Sequence, residues 1–239
     1  MSTQEIAAGD AVAVAALLRD VGARHAPAVL AASFGADDMV LVDIIGRLEL
    51  PIEVLTLDTG RLPEETYRLI DRVRARYELA IRVVFPERES VEGYVRAHGV
   101  NGFYKSLDLR ERCCALRKTE PLKRALAGYG AWITGQRRDQ SSTRATLAVE
   151  EFDARHGLAK FNPLAGWTRD DVWAYLRTHG VTYNELHDRG YASVGCAPCT
   201  RAIEPGDDER AGRWWWEQAE HRECGLHRRP VSTPIRVIA

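Results

Sequence analysis

No stretch of this chain approaches the run of about 18 consecutive apolar residues that a membrane-spanning helix needs. Neither sign of charge is in excess: the formal net charge is −1, so the chain as a whole carries no signal for nucleic acid or an acidic lipid surface. The alanine-rich stretch near the N-terminus is flanked by Asp10 and Asp20, with no basic segment ahead of it, which excludes a secretory leader pattern. Internal repeats and low-complexity tracts are missing too. Cysteine is scarce, with five in 239 residues, too few for a disulfide scaffold and unnecessary at a length that buries its own core. These absences point to a cytoplasmic enzyme-sized domain in which thiols stay reduced. There, paired cysteines more often signal metal or redox chemistry than structural bridges.

What is present is an alternation of strand and helix patterns. Residues 28–34 form a short apolar run ending at Gly35, and 39–48 then reads as a helix with Asp37 and Asp38 in its first turn. Residues 52–57 are rich in β-formers and end in Asp58-Thr59-Gly60; Pro63 opens a helix over 64–77. Residues 81–85 and 131–134 read as further strands, 161–163 as a short strand end, and 7–24 as an amphipathic helix. Thr168-Arg169-Asp170-Asp171 caps a helix running to about 178. This pattern predicts an α/β fold, a single doubly wound parallel sheet covered on both faces. Such sheets bind ligands at the carboxyl ends of their strands. The polar clusters Ser33–Asp38, Asp58–Arg61 and Gly135–Asp139 all fall at those ends. The expected division is an α/β domain over 1–205 and a C-terminal helix with a mobile tail over 206–239.

The loop Ser33-Phe34-Gly35-Ala36-Asp37-Asp38 follows the first strand and opens a helix, a place where backbone N–H groups and the helix dipole can hold an anion. It matches neither a GK[ST]-ended P-loop nor G-x-G-x-x-G, so a plain tight turn competes with the anion reading. Arg137, Arg138 and Arg144, just past another strand end, strengthen the anion reading, because guanidinium forks suit phosphate and sulfate oxygens.

The cysteines fall into three groups: Cys113-Cys114, Cys196-Ala197-Pro198-Cys199, and Cys224 alone. Four thiolates can complete the coordination of an iron–sulfur cluster or a tetrahedral zinc ion. Adjacent ligands are unusual for zinc. A thioredoxin-like redox pair at Cys196 and Cys199 and plain buried thiols are the remaining readings. Arg112, Arg117 and Lys118 would offset part of the charge of four thiolates. Cys224 lies among His221, Arg222, His227, Arg228 and Arg229, cations that favour its thiolate and make it a candidate nucleophile; an inert surface thiol is the alternative.

Taken together, these motifs resemble the iron–sulfur branch of the phosphoadenylyl-sulfate and adenylyl-sulfate reductase family. The resemblance runs from Ser33 to Leu226. It rests on the Ser33–Asp38 loop, Leu57-Asp58-Thr59-Gly60, Cys113-Cys114-x-x-Arg117-Lys118, Gly135 with Arg137-Arg138-Asp139-Gln140-Ser141, Cys196-x-x-Cys199 and Glu223-Cys224-Gly225-Leu226-His227. It implies thioredoxin-dependent reduction of adenylyl sulfate to sulfite and AMP, in sulfate assimilation and cysteine biosynthesis, through an S-sulfocysteine on Cys224. It implies one [4Fe–4S] cluster per chain on Cys113, Cys114, Cys196 and Cys199. Ser33, Gly35, Leu57 and Gly135 would hold the adenosine part. Lys118 would sit between cluster and sulfate, and Arg144, Arg210 and Arg213 would clamp the phosphosulfate, the last two from one helix face. Adenylyl sulfate and thioredoxin are the expected partners, with room for a homo-oligomer and no expectation of nucleic acid or membrane. The 3′-phosphorylated substrate and a zinc-stabilised nucleotide-binding module remain alternatives. Related ATP pyrophosphatases carry Ser-Gly-Gly-x-Asp-Ser where this chain has Ser-Phe-Gly-Ala-Asp-Asp, which argues against ATP cleavage.

Overall fold

Alternate residues of each strand point to opposite faces of a sheet, and here both faces are apolar. Ala28 and Leu30 of β1 (Ala28–Ala31) and Ala131 and Ile133 of β4 (Ala131–Ile133) feed one buried cluster. Val29 and Trp132, their neighbours, feed a second cluster on the other face. The computed structural model describes residues 9–218. Within them the strands, with β2 (Ile52–Leu57), β3 (Ile81–Val84), β5 (Glu150–Asp153) and β6 (Leu158–Phe161), form one six-stranded sheet in the order β3-β2-β1-β4-β6-β5. Every pairing is parallel except that of β5 with β6. The doubly wound α/β expectation holds, with one addition. The antiparallel edge strand β5 is absent from the sequence reading because Glu-Glu-Phe-Asp has no period-two apolar signal, and its burial is only partial.

One face is covered by α1 (Ala11–Arg24), α2 (Ala36–Arg47), α3 (Glu64–Tyr77) and α7 (Arg169–Thr178), whose apolar residues join the larger cluster. Asp10 caps α1 by accepting from Ala13 N at 2.9 Å. Thr168 and Asp171 form the predicted capping box of α7. The other face is covered by α6 (Glu120–Ala125), through Leu122 and Ala125. Burying a side chain of leucine size is worth about 1.5–3 kcal/mol, so the two clusters together dominate the stability of the sheet. A third cluster lies beyond the strand ends, between α4 (Arg88–His98) and α5 (Leu107–Cys114), and contains Tyr94, Phe103, Cys113, Cys199 and Trp214.

β1 has β2 on one side and β4 on the other, so the connections diverge from it in opposite directions. That divergence opens a crevice at the carboxyl ends of β1 and β4, the point where open α/β sheets bind ligands. The chain from 206 to 218 forms turns and one isolated bridge, Thr200 with Arg213, and not the helix expected from 206 onward. Residues 7 and 8 of the first predicted helix and 219–239 of the expected tail, Cys224 included, lie outside the described residues. Among the described residues no helix is long and apolar enough to cross a membrane.

Candidate active site

The crevice is a cavity of about 180 Å³, and all eight residues assigned to the substrate line it: Ser33, Gly35, Leu57, Lys118, Gly135, Arg144, Arg210 and Arg213. Its floor is the turn from β1 into α2. Phe34 is fully buried there with φ at 60°, a left-handed conformation that costs a bulky residue strain and swings the chain into the helix. Asp38 folds back in the first turn, and its carboxylate accepts from Ser33 N at 2.6 Å and Ser33 Oγ at 2.8 Å. Burial pushes the Asp38 carboxyl up to about 6, against the opposing pull of the Ser33 hydrogen bonds. The end of β4 passes so close that a Cβ on Gly135 would stand 2.5 Å from Asp38 Oδ1 and 3.1 Å from Asp38 N. Only glycine lets the two strand ends meet there.

The three arginines after β4 do not act alike. Arg137 is 1 % exposed and is surrounded by Asp37, Asp139 and Glu209, which hold its charge in place. Arg138 Nε donates to Leu147 O at 2.8 Å. Only Arg144 lines the cavity. The sequence reading of a three-arginine anion cluster is therefore corrected: two of the three are consumed by the architecture of the loop. Gln140 organises that loop, accepting from Arg137 N at 3.1 Å and from Arg144 Nη1 while donating to Asp37 at 2.8 Å.

Arg210 and Arg213 reach the cavity by a route that the helix expectation missed. They lie on successive turns, pinned where Trp214 N donates to Cys199 O at 3.1 Å and Arg201 N to Gly212 O at 3.0 Å. Arg213 is 6 % exposed, with Nη1 donating to Val194 O at 3.2 Å and its guanidinium 4.8 Å from the centre of the Trp214 ring. Its Nε has no hydrogen-bond partner among the described residues. Gly195 makes room for it, since a Cβ there would lie 2.6 Å from Arg213 Cζ.

A second, smaller pocket adjoins the first. It is lined by Cys113, Cys114, Cys196 and Cys199, by Phe103, and by Arg61, Arg110, Arg117 and Lys118. Lys118 borders both pockets. Cys113 and Cys114 end α5, and a π-helical turn, Ala115–Thr119, follows at once. Such a turn widens the helix locally and shifts the facing of the residues it carries, here Arg117 and Lys118. The turn carrying Cys196 and Cys199 is tied to the end of β2: Ala197 N donates to Arg61 O at 2.8 Å, and Thr59 Oγ1 lies 3.3 Å from Cys196 Sγ.

All four cysteines are free thiols. Burial raises the Cys113 thiol, with Arg117 opposing, and pushes Cys199 up to about 12, with Arg213 and Lys118 opposing. Arg117 Nη1 donates to Thr59 O at 2.5 Å, while its buried Nε has no hydrogen-bond partner among the described residues. Among the described residues no three His, Cys, Asp or Glu groups are arranged to hold a single metal ion. All four thiols nevertheless line one pocket, together with the cations around them.

Several lining residues escaped the sequence reading: His187, Ser193, Val194, Gly195 and Glu209 of the large pocket, and Arg110 of the small one. His187 Nδ1 lies 2.7 Å from Tyr191 O, its Nε2 has no partner, and burial lowers its pKa. Arg110 is 1 % exposed, pairs with Glu217 at 2.7 Å and lies 4.9 Å from the Trp214 ring centre. No motif marks these residues; the adjacency of Trp214-Trp215-Trp216 to an arginine-rich segment was the only available signal.

The phosphoadenosine phosphosulfate reductase domain family model matches residues 27–202. An adenosine 5'-phosphosulfate reductase of Burkholderia cepacia is 54 % identical over 92 % of this chain and 88 % of its own length. One of Allochromatium vinosum is 53 % identical over 97 % and 90 %. Among solved structures, a phosphoadenylyl-sulfate reductase from Candida auris in complex with phosphate aligns with a TM-score of 0.68 at 30 % identity, covering 80 % of this chain and 90 % of that one. The FMN adenylyltransferase of Candida glabrata, 16 % identical with a TM-score of 0.54 and coverage of 89 % and 73 %, shares the fold.

Proposed function

The chain belongs to the phosphoadenosine phosphosulfate reductase domain family, and from that premise we propose that it reduces adenylyl sulfate to sulfite and AMP. The carrying observation is the pair of adjoining pockets with Lys118 on their common wall. One pocket has the strand-end position of a nucleotide site. The other gathers four thiols among cations.

In this reading Ser33, Gly35, Leu57 and Gly135 bind the adenosine part. Lys118, Arg144, Arg210 and Arg213 hold the phosphosulfate and stabilise the charge that develops on the departing phosphate. The Cys224 thiolate attacks the sulfur; the sulfur–oxygen bond to the phosphate breaks and AMP leaves with the electron pair. The product on the enzyme is S-sulfocysteine. A thiolate of thioredoxin then attacks Cys224 Sγ, sulfite leaves, and the second thioredoxin thiol resolves the mixed disulfide. The two electrons come from the thioredoxin dithiol, which fits a cytoplasmic enzyme of sulfate assimilation.

Cys113, Cys114, Cys196 and Cys199 would hold a [4Fe–4S] cluster. The donor set suits it: four thiols open on one pocket, and Arg117 Nε beside them is buried without a partner. When bound, the cluster would supply fixed charge and a structural tie between the end of α5 and the turn after Gly195. Adenylyl sulfate is favoured over its 3′-phosphorylated form by the four cysteines and by relatives named for it.

The test is anaerobic purification with iron, sulfide and zinc analysis, turnover of both substrates, and mass spectrometry after mixing with adenylyl sulfate. A brown protein with a sulfite adduct on Cys224 is expected, and Cys224→Ser should abolish turnover while substrate still binds. A colourless protein with stoichiometric zinc would sink the cluster. Preference for the 3′-phosphorylated substrate would sink the substrate assignment, and normal activity of Cys224→Ser the nucleophile.

A further inference from the structure

Lys160 is buried, 8 % exposed, and has no part in the chemistry above. It lies on β6 directly across from Trp132 of β4, so the two side chains share a face of the sheet. Its ammonium is 5.3 Å from the centre of the Trp132 ring. From there Nζ donates to Gln136 Oε1 at 2.9 Å, beyond the end of β4, and to Glu151 Oε1 on β5 at 2.8 Å. Glu151 is itself steadied by Asn162 Nδ2 at 3.2 Å.

An ammonium only donates, so it dictates which end of a facing amide it meets. Gln136 must present Oε1 to Lys160 and turn Nε2 the other way. Gln136 is 5 % exposed and lines the nucleotide cavity. Among the described residues its amide is bonded only through Oε1, to Lys160 and to Thr134 Oγ1 at 3.5 Å. Nε2 is not among the buried polar atoms sealed away without a partner. With Oε1 engaged, the end of the Gln136 side chain left for the cavity is the donor Nε2. Leu55, Leu57 and Trp132 line the same cavity and supply apolar surface suited to a flat base.

We propose that Lys160 is a positioning residue for nucleotide recognition: through Gln136 Oε1 it locks the amide so that Nε2 donates a hydrogen bond to a ring nitrogen of the adenine base. This rests on the adenine-nucleotide reading of the cavity. Without Lys160 the amide can flip and present an acceptor, which no adenine ring nitrogen can satisfy. The antiparallel strand β5 gains a purpose as well, because it brings the carboxylate that holds Lys160 in place.

The test is calorimetric titration of the full-length protein with AMP and with 1-deaza-, 3-deaza- and 7-deaza-AMP. Removing Lys160 alone would take the cationic partner from the half-buried Glu151 carboxylate, so the informative variant is Lys160→Met with Glu151→Gln. It should bind AMP about tenfold more weakly, as should Gln136→Ala, and combining all three changes should cost no more than Gln136→Ala alone, because the residues act as one unit. Lys160→Arg, still a pure donor, should bind AMP nearly as well as the unaltered protein. One deaza analogue should lose about tenfold against the unaltered protein and little against Gln136→Ala. AMP affinity within about twofold of the unaltered protein in the Lys160 and Glu151 double variant, additive losses, or equal binding of every deaza analogue would overturn the proposal while leaving the cavity reading intact. If the unaltered protein fails to bind AMP, the cavity reading falls and this inference with it.

Discussion

The two pockets share a wall but are built by different means. The nucleotide cavity is made mostly of strand ends and the turns that follow them, so its shape comes from backbone held by the sheet. The thiol pocket is assembled from α5, the π-helical turn, the Cys196–Cys199 turn and an arginine from the end of β2, segments far apart in sequence that meet only through side chains and turns. The first is framed by the sheet itself. The second gathers buried thiols and cations whose charges a bound cluster would bring into balance. Arginine shows the contrast at the residue level. Arg137, beside the cavity, is saturated by three carboxylates, whereas Arg117, beside the thiols, keeps a buried Nε that no described residue bonds.

The largest effect on this contrast should come from Arg137→Met. It removes the guanidinium shared by the half-buried Asp37 and Glu209, and loss of one partner of a buried ion pair costs up to about 3–5 kcal/mol. Urea denaturation should show that loss. A loss under about 1 kcal/mol would mean that the carboxylates re-solvate and the cavity wall is softer than the sheet implies. Lys118→Met strikes the shared wall. Turnover of adenylyl sulfate should fall by about 10²–10³, in keeping with removal of one charged group at a developing anion, while iron content stays unchanged. Parallel loss of iron would show that the pockets are a single unit.

Gly135→Ala probes the backbone side alone. Its Cβ would stand 2.5 Å from Asp38 Oδ1, so overpacking of about 1–3 kcal/mol should weaken nucleotide binding roughly tenfold to a hundredfold and leave iron content alone. Calorimetry with AMP beside an iron assay separates the two. The last test is a pH dependence. The Asp38 carboxyl has a pKa of about 6 in the folded chain against an ordinary value of 3.8, so the folded state binds the proton more tightly. The stability this contributes is fully present below about 3.8 and is lost as pH rises through about 6, an amount of about 2–3 kcal/mol. Asp38→Asn should flatten stability between those pH values; an unchanged slope would assign it to other groups.

Much of the architecture was legible because strand and helix periods are local. The helix Glu64–Tyr77 was read with its true bounds from Pro63 and the apolar spacing, and the capping box at Thr168 from four residues. Some cavity positions were legible for the same reason: Ser33, Gly35 and Gly135 follow strand ends, and strand ends in such a sheet point one way, whereas Leu57, the last residue of β2, came only from the family resemblance. The misses share a cause. β5 has no alternation of its own and exists because β6 pairs with it. The 206–218 segment carries i, i+3 arginines that suggested a helix, but its backbone is drawn into turns by the bridge from Thr200 to Arg213.

By itself the sequence determined the alternating elements, the grouping of cysteines into pairs, and the identity of the charged residues at the strand ends, since each depends on neighbours within a few positions. Only the tertiary structure decided which cations face the cavity and which are spent on carboxylates, that Lys118 borders both pockets, and that Lys160 sets the orientation of Gln136. Those outcomes depend on which segments meet in space. Burial then gives each meeting its force, because a charge removed from water must find a partner, and the fold chooses the partner.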